Sequence, residues 1–129
     1  MSKTIHAVRL DVDGALTDVQ LPISSGLNEA LREQVNGCVE IAHYARPEGN
    51  RRLSLARDAD GALLRSQNLY VTSLINGLYL KQLPYPLYGP VVLLGALDDS
   101  CHHTDIPEKL YDVLPKLVAA LKPRYSQTA

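Results

Sequence analysis

The sequence predicts an α+β domain with a mainly antiparallel sheet, two β-hairpins, short helices and a packed C-terminal helix. Three observations indicate this fold class. Two Asp-Gly pairs follow β-prone segments in the first half of the chain, a pattern typical of tight hairpin turns. The apolar run Val91 to Leu94 indicates a short strand in the middle of a sheet, buried on both faces. Near the C-terminus, apolar residues recur at helical spacing.

The first hairpin is predicted over Ile5 to Leu21, with Asp13 and Gly14 as the two central residues of its turn. Gly takes positive φ freely and Asp tolerates it, as a type I′ turn requires. This turn sets Arg9 directly opposite Asp18 on a face that we expect to be solvated. The other face is expected to supply four core side chains: Val8, Leu10, Val12 and Val19.

A first helix is predicted over Leu27 to Val35, where apolar residues recur at helical spacing. Asn36-Gly37 is a common helix stop and ends it. The segment Cys38 to Tyr44 alternates between apolar and polar residues as a strand does. A turn is predicted at Pro47 to Asn50.

A second hairpin is predicted over Leu53 to Leu64, because Asp60-Gly61 offers the same turn signal as the first hairpin. The letters DADGAL from Asp58 nearly repeat DVDGAL from Asp11. Repetition of so short a segment favours a turn role for both copies.

The middle of the chain is predicted to hold a short helix, Asn68 to Ile75, which ends at Asn76-Gly77. Its spacing is ambiguous, since Tyr-Val-Thr also favours a strand. A Pro-rich connector over Leu83 to Pro90 then leads to the central strand, Val91 to Leu94.

The last predicted element is a helix over residues 106–122. We expect the Asp105 carboxylate to cap its free amides together with Glu108, and Pro115 to bend it. Pro123 is expected to end it, with residues 123–129 frayed. The expected core-facing stripe consists of Leu110, Val113, Leu114, Leu117, Val118 and Leu121.

Size and composition predict a single domain over residues 1–129, with its core in residues 5–97. The formal net charge is −1, so we expect no nucleic-acid partner. No apolar run reaches the roughly 20 residues that a bilayer span requires, so we expect no membrane association. Two cysteines are too few for a disulfide framework and no signal-peptide pattern is evident, which predicts a cytoplasmic protein.

One motif resembles a catalytic one. Asp11 and Asp13 match the first motif of the haloacid dehalogenase superfamily, in which one Asp attacks phosphorus and the second acts as acid and base around Mg²⁺. Lys81 and Asp98 follow in the order of that superfamily's charge clamp and metal-binding acid. The resemblance implies a Mg²⁺-dependent phosphatase as one alternative function.

Two features of the sequence weigh against a phosphatase. The superfamily's first strand is buried on both faces of a parallel sheet, whereas Arg9 stands in the middle of this strand. The same D-x-D-G recurs from Asp58, where that chemistry has no role for it. Convergence of Asp11, Asp13 and Asp98 would favour the enzyme, and their separation would exclude it.

The loop before the last helix contains several kinds of metal ligand. Cys101, His103 and Asp105 could together bind Zn²⁺, because thiolate, imidazole and carboxylate are all zinc ligands. Side chains so close in sequence seldom converge on one ion without help from elsewhere. A polar loop before a helix is the simpler interpretation, so we expect no metal and no cofactor.

Asn68 and Thr72 form a polar pair at i, i+4 beside an apolar strand. The simpler interpretation is that they cap and satisfy local backbone groups. The alternative, a small-ligand pocket between them, would be excluded if both side chains were buried and paired to backbone.

Several short motifs resemble a small domain-of-unknown-function family of actinobacteria, other bacteria and bacteriophages. They are the hairpin around Asp13-Gly14, the helix ending at Gly37, the acidic turn before Gly61, the Asn68-x-x-x-Thr72 segment and the strand after Tyr88-Gly89-Pro90. The resemblance covers about residues 5–97 and implies a phage or mobile-element setting. It brings no catalytic residues with it.

These observations together predict a small non-catalytic accessory protein that acts by protein binding. Its partner is an unknown protein or a second copy of the chain. Two regions are candidates for the interface: the exposed edge of the sheet and the connector around Tyr85 and Tyr88.

Overall fold

The computed structural model describes residues 4–23, 25–45, 52–61, 65–78 and 86–125, which form five strands and three helices. In chain order the elements are β1 Thr4–Leu10, β2 Leu16–Pro22, α1 Leu27–Val35, β3 Val39–Ala45, β4 Arg52–Asp58, α2 Leu69–Leu78, β5 Val91–Gly95 and α3 Glu108–Tyr125. The predicted α+β class is confirmed. No helix of the described ranges is long and apolar enough to cross a membrane.

The five strands form one sheet in the order β2-β1-β5-β4-β3, and every neighbouring pair is antiparallel. The predicted central strand is confirmed, because β5 lies in the middle and all five of its residues are buried. The border strands are β2 and β3.

Helices cover both faces of the sheet and create two apolar cores. On one face α1 packs over a cluster that includes Ala7, Val19 and Val92. On the other face α2 and α3 pack over a larger cluster that includes Leu10 and Leu93. Side chains alternate between faces along a strand, so each inner strand contributes to both cores.

The loop of the first hairpin has three residues, so the predicted two-residue turn is wrong. The Gly14 N–H donates to the Asp11 carbonyl at 3.0 Å, and the Asp11 N–H donates to the Ala15 carbonyl at 3.0 Å. Only Gly14 has a positive φ in this loop, at 90°. This is a type I turn followed by a left-handed glycine, the usual three-residue hairpin.

The extra loop residue shifts the predicted register by one place, which moves every side chain of β2 to the other face. Arg9 therefore lies opposite Thr17 instead of Asp18. The face that we expected to be solvated is covered by α1. Val12 lies in the loop and is 40% exposed, so its predicted place in the core is wrong.

The second observed hairpin is formed by β3 and β4 rather than by Leu53 to Leu64, and residues 62–64 of that prediction lie outside the described residues. β4 pairs with β3 along one edge and with β5 along the other, which leaves no edge for a further partner. The predicted turn at Pro47 to Asn50 lies outside the described residues.

Asp58 is a buried ion-pair partner at the end of β4 rather than the start of a hairpin turn. Its carboxylate accepts a hydrogen bond from the Asp60 N–H at 3.0 Å and lies 3.3 Å from the Arg65 Nε. Gly37 packs against it so closely that an added Cβ would come within 2.5 Å of the Asp58 carboxyl carbon. Long-range packing, which the repeated motif does not reveal, determines this role.

The two shorter helices are confirmed, with one boundary corrected. Asn36 ends α1 in the left-handed conformation, with φ 60°. α2 continues through Asn76 and Gly77 to Leu78, past the predicted stop. Neither residue takes the positive φ that would end the helix there.

The C-terminal helix is confirmed, but it begins at Glu108 and ends at Tyr125. Pro123 lies inside it, so its predicted role as the end of the helix is wrong; its missing N–H leaves one helical hydrogen bond unmade. Residues 126–129 lie outside the described ranges. Val113 is 40% exposed, so its predicted place on the apolar stripe is wrong, whereas Leu114 is buried.

Asp105 does not cap α3, contrary to the prediction. Its carboxylate Oδ1 accepts a hydrogen bond from the His6 N–H at 2.7 Å, and the Ile106 N–H donates to the His6 carbonyl at 2.8 Å. The segment before α3 therefore pairs with the part of β1 that extends beyond β5.

Candidate functional site

The acids proposed for a phosphatase do not come together. Asp11 and Asp13 lie in the loop between β1 and β2, and Asp98 follows β5. Because β5 is antiparallel to β1, the end of β1 lies beside the start of β5, and Asp98 is at the opposite end of the sheet. The sheet is antiparallel, unlike the parallel sheet of that superfamily. Lys81 lies outside the described residues.

Two of these acids have local structural partners. The Asp13 Oδ1 accepts a hydrogen bond from the Ala15 N–H at 2.9 Å, and the Asp11 carboxylate lies 3.3 Å from the Arg9 Nε. Both contacts stabilise the hairpin loop.

Asp98 organises the turn that follows β5. Its Oδ1 accepts hydrogen bonds from the His102 N–H at 3.0 Å and the Ser100 N–H at 2.8 Å. These two hydrogen bonds hold the pKa of the Asp98 carboxyl below its ordinary value of 3.8, and the bond from His102 has the larger effect.

The candidate metal ligands are held apart by separate roles. The buried His103 ring places Nδ1 at 3.1 Å from the Gly95 carbonyl, and Asp105 binds the backbone of β1. Cys101 is exposed, and its own backbone takes a left-handed φ of 61° in the turn. Across the described part of the chain, no group of three or more His, Cys, Asp or Glu side chains could hold a metal ion.

Asn68 and Thr72 stabilise backbone, as the simpler interpretation predicted. The Asn68 Nδ2 donates to the carbonyls of Leu10 at 3.0 Å and Gly89 at 2.9 Å, and its Oδ1 caps α2 by accepting from the Val71 N–H at 3.1 Å. The Thr72 Oγ1 donates to the Asn68 carbonyl and accepts from the Leu87 N–H. Asn68 is fully buried and Thr72 is half-buried. The ligand pocket at this pair stays a prediction from the sequence.

Of the two connector tyrosines, only Tyr88 lies within the described residues. It is half-buried and forms an isolated β-bridge with Gln67. Gly61 packs under it, with only 3.1 Å between the Tyr88 carbonyl oxygen and a Cβ added at Gly61. The backbone of Tyr88 thus contacts two other loops of its own chain, at Gln67 and Gly61.

A groove of about 450 Å³ lies between the sheet and α3. Three apolar residues, Val8, Leu16 and Leu114, form part of its lining, and two acids, Asp18 and Asp112, add negative charge. The lining contains no Ser, Thr or Cys among the described residues, so it offers no hydroxyl or thiol of the kind that a His–Asp pair usually activates.

Asp18 accepts a side-chain hydrogen bond from His6 at this groove. The His6 Nε2 lies 2.8 Å from the Asp18 Oδ1, and Tyr111 lines the groove beside them. The hydrogen bond from His6, and after it the polar interaction with Tyr111, lower the pKa of the Asp18 carboxyl below 3.8. The Asp18 carboxylate in turn raises the pKa of Tyr111 above 10.0. The His6 and Tyr111 rings meet edge to face, with centroids 4.7 Å apart.

This trio was missed in the sequence because of the register error. The predicted turn placed Asp18 opposite Arg9, on the opposite face from His6. In the observed register Asp18 lies opposite Val8 and shares a face with His6. A three-residue loop around Asp13-Gly14 would have placed His6 and Asp18 on the same face of the hairpin.

The hydrogen-bond alternation of an antiparallel pair determines which backbone groups of a border strand face outward. The Ala59 N–H donates to the Cys38 carbonyl at 2.7 Å, so Glu40 and Ala42 in turn direct their backbone groups to β4. The alternate residues direct their N–H and C=O groups outward, and these are Val39, Ile41, His43 and Ala45. In the described ranges no segment pairs with this side of β3.

β2 differs from β3 in its protection against pairing. The bond between the Asp11 N–H and the Ala15 carbonyl starts the same alternation in β2, and it directs the backbone of Pro22 outward. Proline has no N–H, so it offers no donor at this outer edge. β3 contains no Pro, Lys or Gly, the residues that commonly blunt an edge. Its only carboxylate, Glu40, is ion-paired to Arg57 at 3.0 Å.

Comparisons with protein-family models, with curated proteins and with solved structures find no match to this chain. The family resemblance therefore stays a prediction from short motifs, and the function has to be inferred from the geometry.

Proposed function

We propose that the protein is a small non-catalytic accessory protein that binds another polypeptide by strand addition at the outer edge of β3. The observation that carries the proposal is the row of outward backbone groups on this border strand, with which no described segment of the chain pairs. Main-chain hydrogen bonds supply affinity in this mode of recognition, and alternate side chains supply specificity. The resemblance to the bacterial and phage family suggests a mobile-element setting.

The side chains of β3 suit an interface more than a permanently solvated edge. Val39, Ile41, Ala42 and Tyr44 are all half-buried within the single chain. Part of their apolar surface therefore remains available, and a paired strand would remove it from water. Because Glu40 is ion-paired, a partner would meet no isolated charge on this strand.

The arrangement of the acids supports binding over the phosphatase alternative. Asp11 and Asp13 are separated from Asp98 by the length of the sheet, so the convergence of three carboxylates that would favour the enzyme has no counterpart among the described residues. Each of the three acids already has a structural partner.

A quantitative pull-down from cells of the native host tests the proposal. Ile41→Pro removes an outward N–H at the centre of β3 and prevents a strand from pairing there. Gln20→Pro removes an outward N–H from β2 and is the matched control. We expect a partner that is captured by the unchanged protein and by Gln20→Pro but lost with Ile41→Pro.

Capture that is the same with all three proteins would overturn the proposal, and so would the absence of any capture that depends on Ile41. Circular dichroism and thermal unfolding establish that each variant is folded. Ile41→Lys is the second variant, because it leaves the backbone intact and introduces an edge lysine, which disfavours pairing. The Ile41 side chain packs beside the α1-side cluster, so the folding of this variant is verified in the same way.

A further inference from the structure

We infer that the strand added at β3 is β3 of a second copy of this chain, which makes one continuous ten-stranded sheet from two five-stranded sheets. This inference rests on the proposed function and names its partner. Closed two-fold dimers are the commonest oligomers, and in them the same surface of each copy contacts its equivalent. The interface must therefore be complementary to itself, and β3 meets that condition.

The backbone alternation selects the register of this dimer. A two-fold axis at Ala42 pairs Ile41 with His43 of the second copy, and Val39 with Ala45 of the second copy. All four are outward-facing residues, so each such pair can exchange two hydrogen bonds. This register uses the whole length of β3, and no outward group of the strand is left without a partner.

The small side chain at the axis suits this arrangement. Ala42 directs its own backbone groups to β4, so it meets its equivalent as a non-hydrogen-bonded pair, in which the Cα atoms approach to about 4.5 Å. The two Ala42 methyl groups then lie side by side on one face of the sheet, where neither obstructs the approach of the strands.

The charges agree with the same register. The axis at Ala42 places Glu40 opposite Tyr44 of the second copy, a carboxylate facing a phenol. An axis at Glu40 would instead set two carboxylates directly opposite each other, which is unfavourable in a sheet. The register that uses the most backbone groups is therefore also free of like-charge pairs.

The size of the contact predicts a modest affinity. Pairing of seven-residue strands covers less surface than a standard interface of roughly 1,600 Å², which places the dimer among weaker, concentration-dependent assemblies. We expect half-dissociation in the micromolar range.

Sedimentation equilibrium over a wide concentration range tests the inference. The single chain has a mass of 14.2 kDa, and we expect twice that mass at high concentration for the unchanged protein and for Gln20→Pro. Ile41→Pro and Ile41→Lys should stay at the single-chain mass at every concentration.

A cysteine at the axis tests the register independently. Cys38 and Cys101 are free and exposed, so both are first replaced by serine. In that background Ala42→Cys should form a disulfide-linked dimer on mild oxidation, because an identical residue lies directly across the axis. Glu40→Cys, which would face Tyr44 of the second copy, should cross-link far less.

The outcomes separate this inference from the proposed function. A single-chain mass at all concentrations overturns the second copy as partner, and so does a dimer that survives Ile41→Pro or forms no cross-link at Ala42→Cys. If an Ile41-dependent partner is still captured from host cells, the proposed function stands without the dimer. If neither a dimer nor an Ile41-dependent partner is seen, the dimer inference and the proposed function are both overturned.

Discussion

At the scale of single residues, Asn68 connects parts of the chain that are distant in sequence. Its amide binds the end of β1 through the Leu10 carbonyl, the start of α2 through the Val71 N–H, and the segment before β5 through the Gly89 carbonyl. Because the side chain is fully buried, water cannot replace any of these bonds.

We expect Asn68→Ala to lower the free energy of unfolding by about 3 kcal/mol or more, because each buried group left unpaired costs about 1–3 kcal/mol. Urea denaturation followed by circular dichroism measures the change. Asn28→Ala, at an exposed position of α1, is the control and should stay within about 0.5 kcal/mol. A similar small change at both positions would contradict a structural role for Asn68.

The acid stability of the protein should reflect Asp18. Its pKa is lowered in the folded chain, so its contribution to stability is complete above 3.8 and is lost as the pH falls through the folded-state value. In an NMR titration of the carboxyl carbon, His6→Gln should raise the Asp18 pKa toward 3.8, and by more than Tyr111→Phe does.

The interaction between Asp18 and Tyr111 can be checked from both side chains. Asp18→Asn should bring the pKa of Tyr111 down toward 10.0, because the carboxylate that raises it is gone. It should also remove the part of the stability loss that the unchanged protein shows below pH 3.8. Acid unfolding curves that coincide for Asp18→Asn and the unchanged protein would refute the assignment.

At the scale of elements, the loop of the first hairpin depends on Gly14. The residue has φ 90°, and a Cβ added there would lie 2.9 Å from the ζ carbon of Tyr70 on α2. Two constraints therefore act at one position: the left-handed backbone of the turn and the close approach of an aromatic ring.

Gly14→Ala should destabilise the protein by about 2 kcal/mol, since the left-handed conformation alone costs an L-residue about 1–2 kcal/mol. Gly77→Ala is the informative counterpart, because Gly77 lies in α2 with nothing within 4 Å of an added Cβ. It should stabilise by about 0.5–1 kcal/mol. Thermal unfolding of both variants measures the difference, and changes of the same sign would contradict this account.

At the scale of the whole molecule, helices cover both faces of the sheet, whereas the border strands β2 and β3 pair on one side only within the described ranges. Pro22 removes a donor from one border strand, whereas the other border strand carries no comparable protection in the described ranges. This asymmetry between the edges of a single sheet is the property from which the binding function and the two-fold dimer are inferred.

Local pattern was enough to predict the elements that depend on near neighbours in the sequence. Leu31 and Val35 are buried on α1 as their spacing predicted, and β5 is buried throughout as its apolar run predicted. Asn68 caps α2 because an Asn before an apolar helix has this role independently of distant residues.

The sequence by itself determined the α+β class, the presence of the short helices, the central strand and all of the apolar stripe of the C-terminal helix except Val113, because hydrophobic periodicity acts over one or two turns of chain. Only the tertiary structure decided the register of the first hairpin, the partner of β4 and the pairing of Asp105 with β1. An Asp-Gly signal fits a two-residue or a three-residue loop equally well, and one place of difference reverses both faces of a strand. Packing of α1 and α2 on opposite faces of the sheet selects the three-residue loop over the two-residue loop.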